Sequence, residues 1–296
     1  MELSQQAVLA ATAGALAWCL LSSPEPASPP PTGVAVRVGA ATRYILSTSG
    51  RPSSLERYRG LLQNSLGLDI AYTPISAQDG GAIDPQQFCW ALRGVNAIGG
   101  AISRDIKASV VPYLDEVEPF ARRVGSVNTV LRRGDRLVGF NTDAAGFRSA
   151  ITTGVAASGV TVRSAVVYGY GGVTNVVVHV LQELGYRVAL TGRRPEEAKR
   201  RAAELGASAF VPGETDDAGP FELLVNAAPV TDQPLGQAKG LLAALGQGVR
   251  VAFDHEMPGA ALRSHCQEHG IAHIPGTAMC ERRLAPPPPL HLLPKD

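Results

Sequence analysis

The chain has 296 residues, of which 45% are hydrophobic and 18% are charged. This balance indicates a globular protein with a buried core and argues against a disordered chain. The formal net charge is +1, so the protein has no overall field that would gather nucleic acid or acidic lipid. A small polar molecule is therefore the expected partner, and the length allows two domains.

The first predicted element is an apolar segment at residues 7–21, which a Pro/Ser-rich linker at residues 22–32 follows. The segment is too short to cross a bilayer comfortably. A secretory signal is an alternative, because Ala15-Leu16-Ala17 resembles a cleavage site, but residues 1–6 contain no Lys or Arg. We favour an apolar helix that packs on the rest of the protein.

A strand–helix–strand unit is predicted next. Residues 44–47 and 70–72 have the composition of strands, and the leucines of residues 55–66 share one helical face. Ser53 or Ser54 is placed to cap that helix, and Gly67 to end it. This order predicts a parallel sheet.

The middle of the chain predicts a further helix and a hairpin. The helix is expected around residues 107–114. Two strand-like runs, residues 127–131 and 137–140, flank a Gly134-Asp135 turn, which is typical of a β-hairpin.

The second half alternates strands and helices, which predicts a doubly wound α/β domain. The strands are expected at residues 164–168, 187–190, 223–226, 249–253 and 271–274. An amphipathic helix covers residues 173–184, and another runs from Pro195 to Gly206. The proline-rich end of the chain predicts an extended tail.

The strand at residues 164–168 runs directly into Gly169-Tyr170-Gly171-Gly172, and a helix follows. Glycines in this context allow a backbone to approach a pyrophosphate at a helix N-terminus, although the third glycine of the usual fingerprint is missing. Arg193 and Arg194 follow the next strand, where a cofactor with a free ribose 2′-hydroxyl would call for Asp or Glu. Guanidinium groups suit a 2′-phosphate, so we predict NADP rather than NAD.

None of the four cysteines belongs to a CxxC pair: they are Cys19, Cys89, Cys266 and Cys280. Free thiols in a reducing compartment, the cytoplasm, are expected. Four residues of metal-ligating type lie close together, at His265, Cys266, His269 and His273. Gly270 interrupts their helical register and no second ligand pair follows, so we predict no metal site.

Three blocks of residues 107–147 resemble the shikimate dehydrogenase family: Lys107 with Val111–Asp115, Gly125–Thr129, and Gly139–Asp143 with Gly146-Phe147. The later half is also similar, since Gly169–Gly172 resembles the family's Gly-Ala-Gly-Gly loop, Gly192–Arg194 its Asn-Arg-Thr and Asn226–Pro229 its Asn-Ala-Thr-Pro. The resemblance covers about residues 45–280.

The resemblance implies a reversible hydride transfer between NADP(H) and a ring ketone or alcohol, in a cleft between two domains. It implies that Lys107 and Asp143 are catalytic and that Asn128 holds a ring hydroxyl. Ketone reduction places negative charge on oxygen, which a lysine can neutralise by donating a proton or by its charge. The implied cofactor-binding residues are Gly169, Gly171, Gly172, Arg193, Arg194 and Asn226.

The departures from the family pattern lie on the substrate side. The Asn and Pro that precede the family's lysine are Ala101 and Asp105 here, and its Thr is Ser103. Ser53 or Ser54 is the counterpart of the serines that bind the family's substrate carboxylate. Arg51 is an alternative carboxylate partner, and a substrate without a carboxylate at this place is a further alternative. These changes predict a divergent cyclic substrate; the alternative is a catalytically inactive NADP-binding or regulatory protein of the same fold.

The expected architecture is therefore α/β, with an N-terminal substrate domain and a Rossmann-type NADP-binding domain. The predicted borders are 1–32 for the apolar segment and linker, 33–147 for the substrate domain, 148–280 for the NADP domain and 281–296 for the tail. The family's C-terminal helix has no counterpart here, and we hypothesise that residues 7–21 replace it. A monomer or homodimer is expected, with neither nucleic acid nor a membrane as partner.

Overall fold

The computed structural model describes residues 42–48, 69–77, 81–102, 106–214, 219–228, 239–255 and 260–281. Within these residues the chain forms two six-stranded sheets. The predicted elements at residues 7–21 and 55–66, the linker and most of the tail lie outside the described residues.

The first sheet contains the strands β1 (Arg43–Ser47), β2 (Ile70–Pro74), β3 (Ala97–Ala101), β4 (Glu116–Val117), β5 (Thr129–Arg133) and β6 (Arg136–Phe140). Their order is β2-β1-β3-β5-β6-β4. Strand β1 pairs in parallel with β2 and β3, as predicted for the first two. Strands β5 and β6 form the predicted antiparallel hairpin, and Gly134 at its turn has a φ of 61°, which favours glycine.

One part of this half differs from the prediction. Residues 107–110 form turns and Val111–Tyr113 a single 3₁₀ turn, so the helix predicted around residues 107–114 is wrong. Pro112 explains this, because proline has no backbone N–H to donate to the carbonyl of residue 108, as a helix over residues 107–114 would require.

Strand β3 contains Gly99 and Gly100, and helix α1 (Pro85–Gly94), capped by the Asp84 carboxylate, packs against it. A Cβ atom at Gly100 would lie 2.5 Å from the Phe88 ring, so glycine permits this close packing.

The second sheet contains β7 (Ser164–Tyr168), β8 (Arg187–Thr191), β9 (Ser208–Ala209), β10 (Leu223–Asn226), β11 (Val251–Asp254) and β12 (Ala272–Pro275). All its strand pairs are parallel, and the order is β12-β11-β10-β7-β8-β9. Counted within the sheet, this is the 3-2-1-4-5-6 order of the Rossmann fold, which confirms the predicted fold class. The last two strands begin one or two residues later than predicted.

The helices of this half are α4 (Gly172–Glu183), α5 (Pro195–Glu204), α6 (Lys239–Leu245), α7 (Ala260–Glu268) and α8 (Ala278–Glu281). Helices α4 and α5 agree with the predicted ones, and α4 buries the apolar face that the sequence indicates. Within the described residues no helix has both the length and the apolarity needed to span a membrane.

Between α1 and α4, helix α2 (Pro119–Val124) precedes the hairpin and helix α3 (Asp143–Ser158) follows it. Helix α3 packs on α4, α8, β11 and β12 of the second half. A Cβ at Gly154 would collide with the Ile274 side chain, so this glycine lets α3 approach β12 closely. The border predicted after residue 147 lies inside α3 and stays a prediction.

Candidate active site and cofactor site

Lys107, in the turn at residues 107–110, and Asp143, the first residue of α3, form an ion pair. The Lys107 Nζ atom lies 2.9 Å from Asp143 Oδ2, and both side chains are largely buried, with exposed fractions of 15% and 4%. The two residues are 36 positions apart in the chain, so only the fold brings them together. A largely buried pair of this kind gains little net stability, because desolvation offsets the attraction.

The backbone around Lys107 is held in place by its neighbours. The Lys107 carbonyl accepts a hydrogen bond from the Val127 amide at 2.8 Å. Ile106 and Val110, on either side, are buried in the core of the first half. This anchoring lets the lysine side chain reach Asp143 from a short turn.

Asp143 is the first residue of α3, directly after strand β6. The Asn141 side chain accepts a hydrogen bond from the Asp143 amide at 3.1 Å and donates one to the Ser126 carbonyl at 2.9 Å. The positive end of the helix dipole favours a carboxylate at this position. The carboxylate is therefore fixed by the helix start rather than by a loop.

Asn128 lies beside this pair and is fully buried. Its Oδ1 atom accepts hydrogen bonds from the Thr129 hydroxyl, the Thr142 amide and the Thr142 hydroxyl, at 2.9, 3.0 and 3.2 Å. Its Nδ2 atom has no acceptor within the described part of the chain. A buried amide with a spare donor is costly, and a substrate oxygen would satisfy it.

A cavity of about 300 Å³ lies at the ends of β1 and β2, and Ile106, the residue before Lys107, is part of its lining. Its described lining is mainly apolar and includes two hydroxyl groups: it consists of Thr48, Pro74, Ile75, Ser76, Gly81, Ile83 and Ile106. This is enough space for a small ring. The predicted substrate residues Ser53, Ser54 and Ser103 lie outside the described residues.

The second candidate site is the loop between β7 and α4. Gly169 has a φ of 121°, and a Cβ there would lie 3.0 Å from the Ala228 side chain, so glycine is needed for the fold. At Gly171 and Gly172 a Cβ would meet nothing within 4 Å. The protein itself does not require glycine at these two positions, whereas a phosphate group approaching the N-terminus of α4 would.

Arg193 and Arg194 lie beyond β8, are exposed, and form no ion pair with any described residue. The next basic residues, on α5, are all paired with glutamates: they are Lys199, Arg200 and Arg201. Burial raises the pKa of the Tyr168 phenol at the end of β7, and the charge of Arg193 opposes that rise. The two arginines therefore lie near the glycine loop with their guanidinium groups available.

Asn226 ends strand β10 and is fully buried. Its Nδ2 atom donates to Asp254 Oδ1 at 2.9 Å, and its Oδ1 atom accepts from the Ala228 amide at 3.2 Å. These bonds shape the 227–228 turn, against which Gly169 packs. Asn226, predicted to bind the cofactor, therefore supports the loop through its side chain.

The candidate metal ligands of the C-terminal part do not converge. No group of three His, Cys, Asp or Glu side chains suited to a metal occurs among the residues that the structure describes. His265 and His269 stack with ring centroids 4.0 Å apart. Burial raises the pKa of the Cys266 thiol to about 11, so it is protonated at neutral pH.

The chain is similar in sequence to known shikimate dehydrogenases. Shikimate dehydrogenase (NADP(+)) of Thermus thermophilus is 39% identical over 171 residues, which are 56% of this chain and 59% of that protein. The enzyme of the same name from Symbiobacterium thermophilum is 34% identical over 223 residues, 67% of this chain and 74% of its own. No protein-family model matches the chain.

Solved structures give the same result. Shikimate 5-dehydrogenase of Thermus thermophilus, in complex with NADP(H) and shikimate, superposes with a TM-score of 0.61 at 26% identity. The match covers 80% of this chain and 88% of that structure. A shikimate 5-dehydrogenase-like protein superposes with a TM-score of 0.66 at 23% identity, over 82% and 88% of the two chains.

The two sheets define an α/β protein whose second half has the Rossmann-type fold. The chain belongs to the shikimate dehydrogenase family. It spans about three fifths of the length of the Thermus relative, 59%.

Three further residues, which the sequence does not mark as site residues, hold predicted site residues in place. Thr142 holds the Asn128 side chain, and Asp254 holds Asn226. Tyr170, between two glycines, contacts Arg194. The available signal for Tyr170 was its departure from the alanine of the family loop; the other two depend on contacts between distant strands.

Proposed function

We propose that this protein is an NADP-dependent oxidoreductase that interconverts a ring ketone and a ring alcohol of a cyclic polyol or hydroxy acid. The observation that carries the proposal is the buried Lys107–Asp143 pair, 2.9 Å apart, beside the spare amide of Asn128. The family membership supports the same reaction class.

The residues present fit NADP. Gly171 and Gly172 leave open space at the start of a long helix, and Arg193 and Arg194 supply two cations near it that have no ion-pair partner among the described residues. A cofactor with a phosphate on its adenosine ribose matches this combination better than NAD. When bound, NADPH supplies the hydride.

The protein's own residues bind the substrate oxygen and supply its proton. In the direction of reduction, Lys107 donates a proton to the carbonyl oxygen as negative charge develops there. Asp143 keeps the ammonium group oriented and accepts a hydrogen bond from a neighbouring substrate hydroxyl. The Nδ2 atom of Asn128 donates to a ring oxygen.

The proposed substrate differs from the usual one of the family. The described lining of the cavity offers the hydroxyls of Thr48 and Ser76 among apolar side chains. The residues before Lys107 also depart from the family pattern. We therefore propose a divergent ring compound whose recognition relies on hydroxyl groups.

The test has two stages. NADPH and NADH are titrated into the purified protein by fluorescence, and then cyclic ketones and alcohols, including shikimate and quinate, are added while the absorbance of the reduced cofactor is followed. We expect selective binding of NADPH and turnover of at least one ring compound. If neither cofactor binds, the proposal is wrong.

The alternative, a catalytically inactive NADP-binding protein, rests on the departures in the substrate half. An Asp143→Asn variant helps to separate the two. In an enzyme we expect kcat to fall by about 100-fold with little change in NADPH affinity. In a binding protein, neither the wild type nor the variant would turn over any compound of the panel.

Replacing Gly171 by valine is expected to weaken NADPH binding by at least roughly 10-fold without lowering stability. Its φ of −72° suits any residue, and its Cβ meets no protein atom, so only a ligand would be obstructed. Isothermal titration and thermal unfolding measure the two effects. Gly94→Ala, also without neighbours within 4 Å, is the control. Unchanged NADPH affinity in Gly171→Val would remove this loop from the site.

We place the activity in the cytoplasm, because Cys89 and Cys266 are free, buried thiols. Both a monomer and a homodimer are compatible with the proposal. Light scattering of the purified protein at several concentrations decides between them.

A further inference from the structure

The Tyr170 side chain joins the glycine loop to the residues that follow β8. Its hydroxyl accepts a hydrogen bond from the Arg194 amide at 2.5 Å and donates to the Arg194 carbonyl at 3.3 Å. The Arg194 guanidinium carbon lies 5.5 Å from the centre of the Tyr170 ring. One side chain therefore holds both the backbone and the charged group of Arg194.

Gly192 makes room for this contact. A Cβ atom at Gly192 would lie 2.5 Å from two atoms of the Tyr170 ring. Any other residue at position 192 would displace the ring. The family motifs have alanine at position 170 and asparagine at position 192. This chain differs at both positions, and the small Gly192 accommodates the large Tyr170.

Arg194 differs from the basic residues of α5 in having no carboxylate partner among the described residues. An arginine whose flat face rests on an aromatic ring keeps its N–H groups free at the edge, where they suit the oxygens of a phosphate. The contact with Tyr170 reduces the conformational freedom that Arg194 would lose on binding such a group.

We propose that Tyr170 is a positioning residue that sets the preference for NADP(H) over NAD(H) by holding Arg194 at the 2′-phosphate. This inference rests on the proposed function, because it requires the β7–α4 loop to bind the cofactor. On this inference Tyr170 affects the binding of NADP(H), which has the 2′-phosphate, and leaves the binding of NAD(H) unchanged.

The test compares the affinities of wild type, Tyr170→Phe and Tyr170→Ala for NADPH, NADH and adenosine 2′,5′-bisphosphate. For Tyr170→Ala we expect the Kd of NADPH and of the bisphosphate to rise about 10-fold, since both the ring contact and the hydrogen bonds are lost. Tyr170→Phe keeps the ring and is expected to show roughly a 3-fold rise. The Kd of NADH should stay within about twofold in both variants.

Tyr186→Phe removes a phenol hydroxyl elsewhere in the same half and serves as the control, and thermal unfolding checks that all variants are folded. A merely structural role of Tyr170 would weaken both dinucleotides equally and leave their ratio unchanged, which overturns the inference. Tighter NADPH binding by Tyr170→Ala overturns it too, because the ring would then obstruct the site. If wild type prefers NADPH but neither variant changes that preference, only this inference fails; if wild type binds neither dinucleotide, the proposed function fails with it.

Discussion

Replacing Lys107 by methionine is expected to lower kcat by about 1,000-fold, with NADPH affinity within about twofold of wild type. Methionine keeps much of the side chain's volume but neither donates the proton nor carries the charge that stabilises the substrate oxygen. The rate is measured by the absorbance of the reduced cofactor, with the ring compound that wild type converts. Tight NADPH binding together with lost turnover would show that Lys107 acts in the chemical step and not in cofactor binding.

Two controls accompany this variant. Lys199 also pairs with carboxylates, but on the surface of α5, so Lys199→Met should leave kcat unchanged. Because Lys107→Met leaves the buried Asp143 carboxylate without its cation, its stability is compared with that of the Lys107→Met/Asp143→Asn double variant. A folded Lys107→Met protein with wild-type kcat would show that the proton comes from another group.

Replacing Phe147 by alanine is expected to lower the free energy of unfolding by about 3–5 kcal/mol. The ring is fully buried and meets Phe253 of β11 edge-on, with centroids 5.1 Å apart. The substitution leaves a cavity between α3 and the second sheet and removes the aromatic pair. Urea unfolding measures the loss.

Trp90→Ala is the matched control for Phe147→Ala. Its side chain is 60% exposed, so the expected loss is within about 0.5 kcal/mol. A loss for Phe147→Ala as small as that for Trp90→Ala would mean that α3 does not pack on the second sheet as described.

The Rossmann-type half was predicted largely from its sequence, because apolar strands there run into glycines and then into helices with one apolar face. The substrate half was harder. Strand β3 contains Gly99 and Gly100 instead of β-branched residues, and helix α3 buries small side chains such as Ala144 and Ala150, which leave no clear apolar stripe.

The candidate site was predicted in part. The resemblance identified Lys107, Asn128 and Asp143, and the structure brings these residues together, although their roles stay predictions. Asn226 is held by a hydrogen bond to Asp254, 28 positions away in the chain. Tyr170 contacts Arg194, 24 positions away. Spacing in the sequence does not reveal such contacts.

The position of Asp143 at the start of α3 has a consequence for protein engineering. By its packing α3 belongs to the Rossmann-type half, whereas its first residue pairs with Lys107 of the other half. A chimera that exchanges substrate halves between relatives at residue 147 would cut this helix. A crossover at Gly159, an exposed left-handed residue that ends α3, would transfer Lys107 and Asp143 together but would place a foreign helix surface against Ile274 and Phe253. Grafting a new substrate specificity onto this cofactor half therefore requires that the inner face of α3 be redesigned with it.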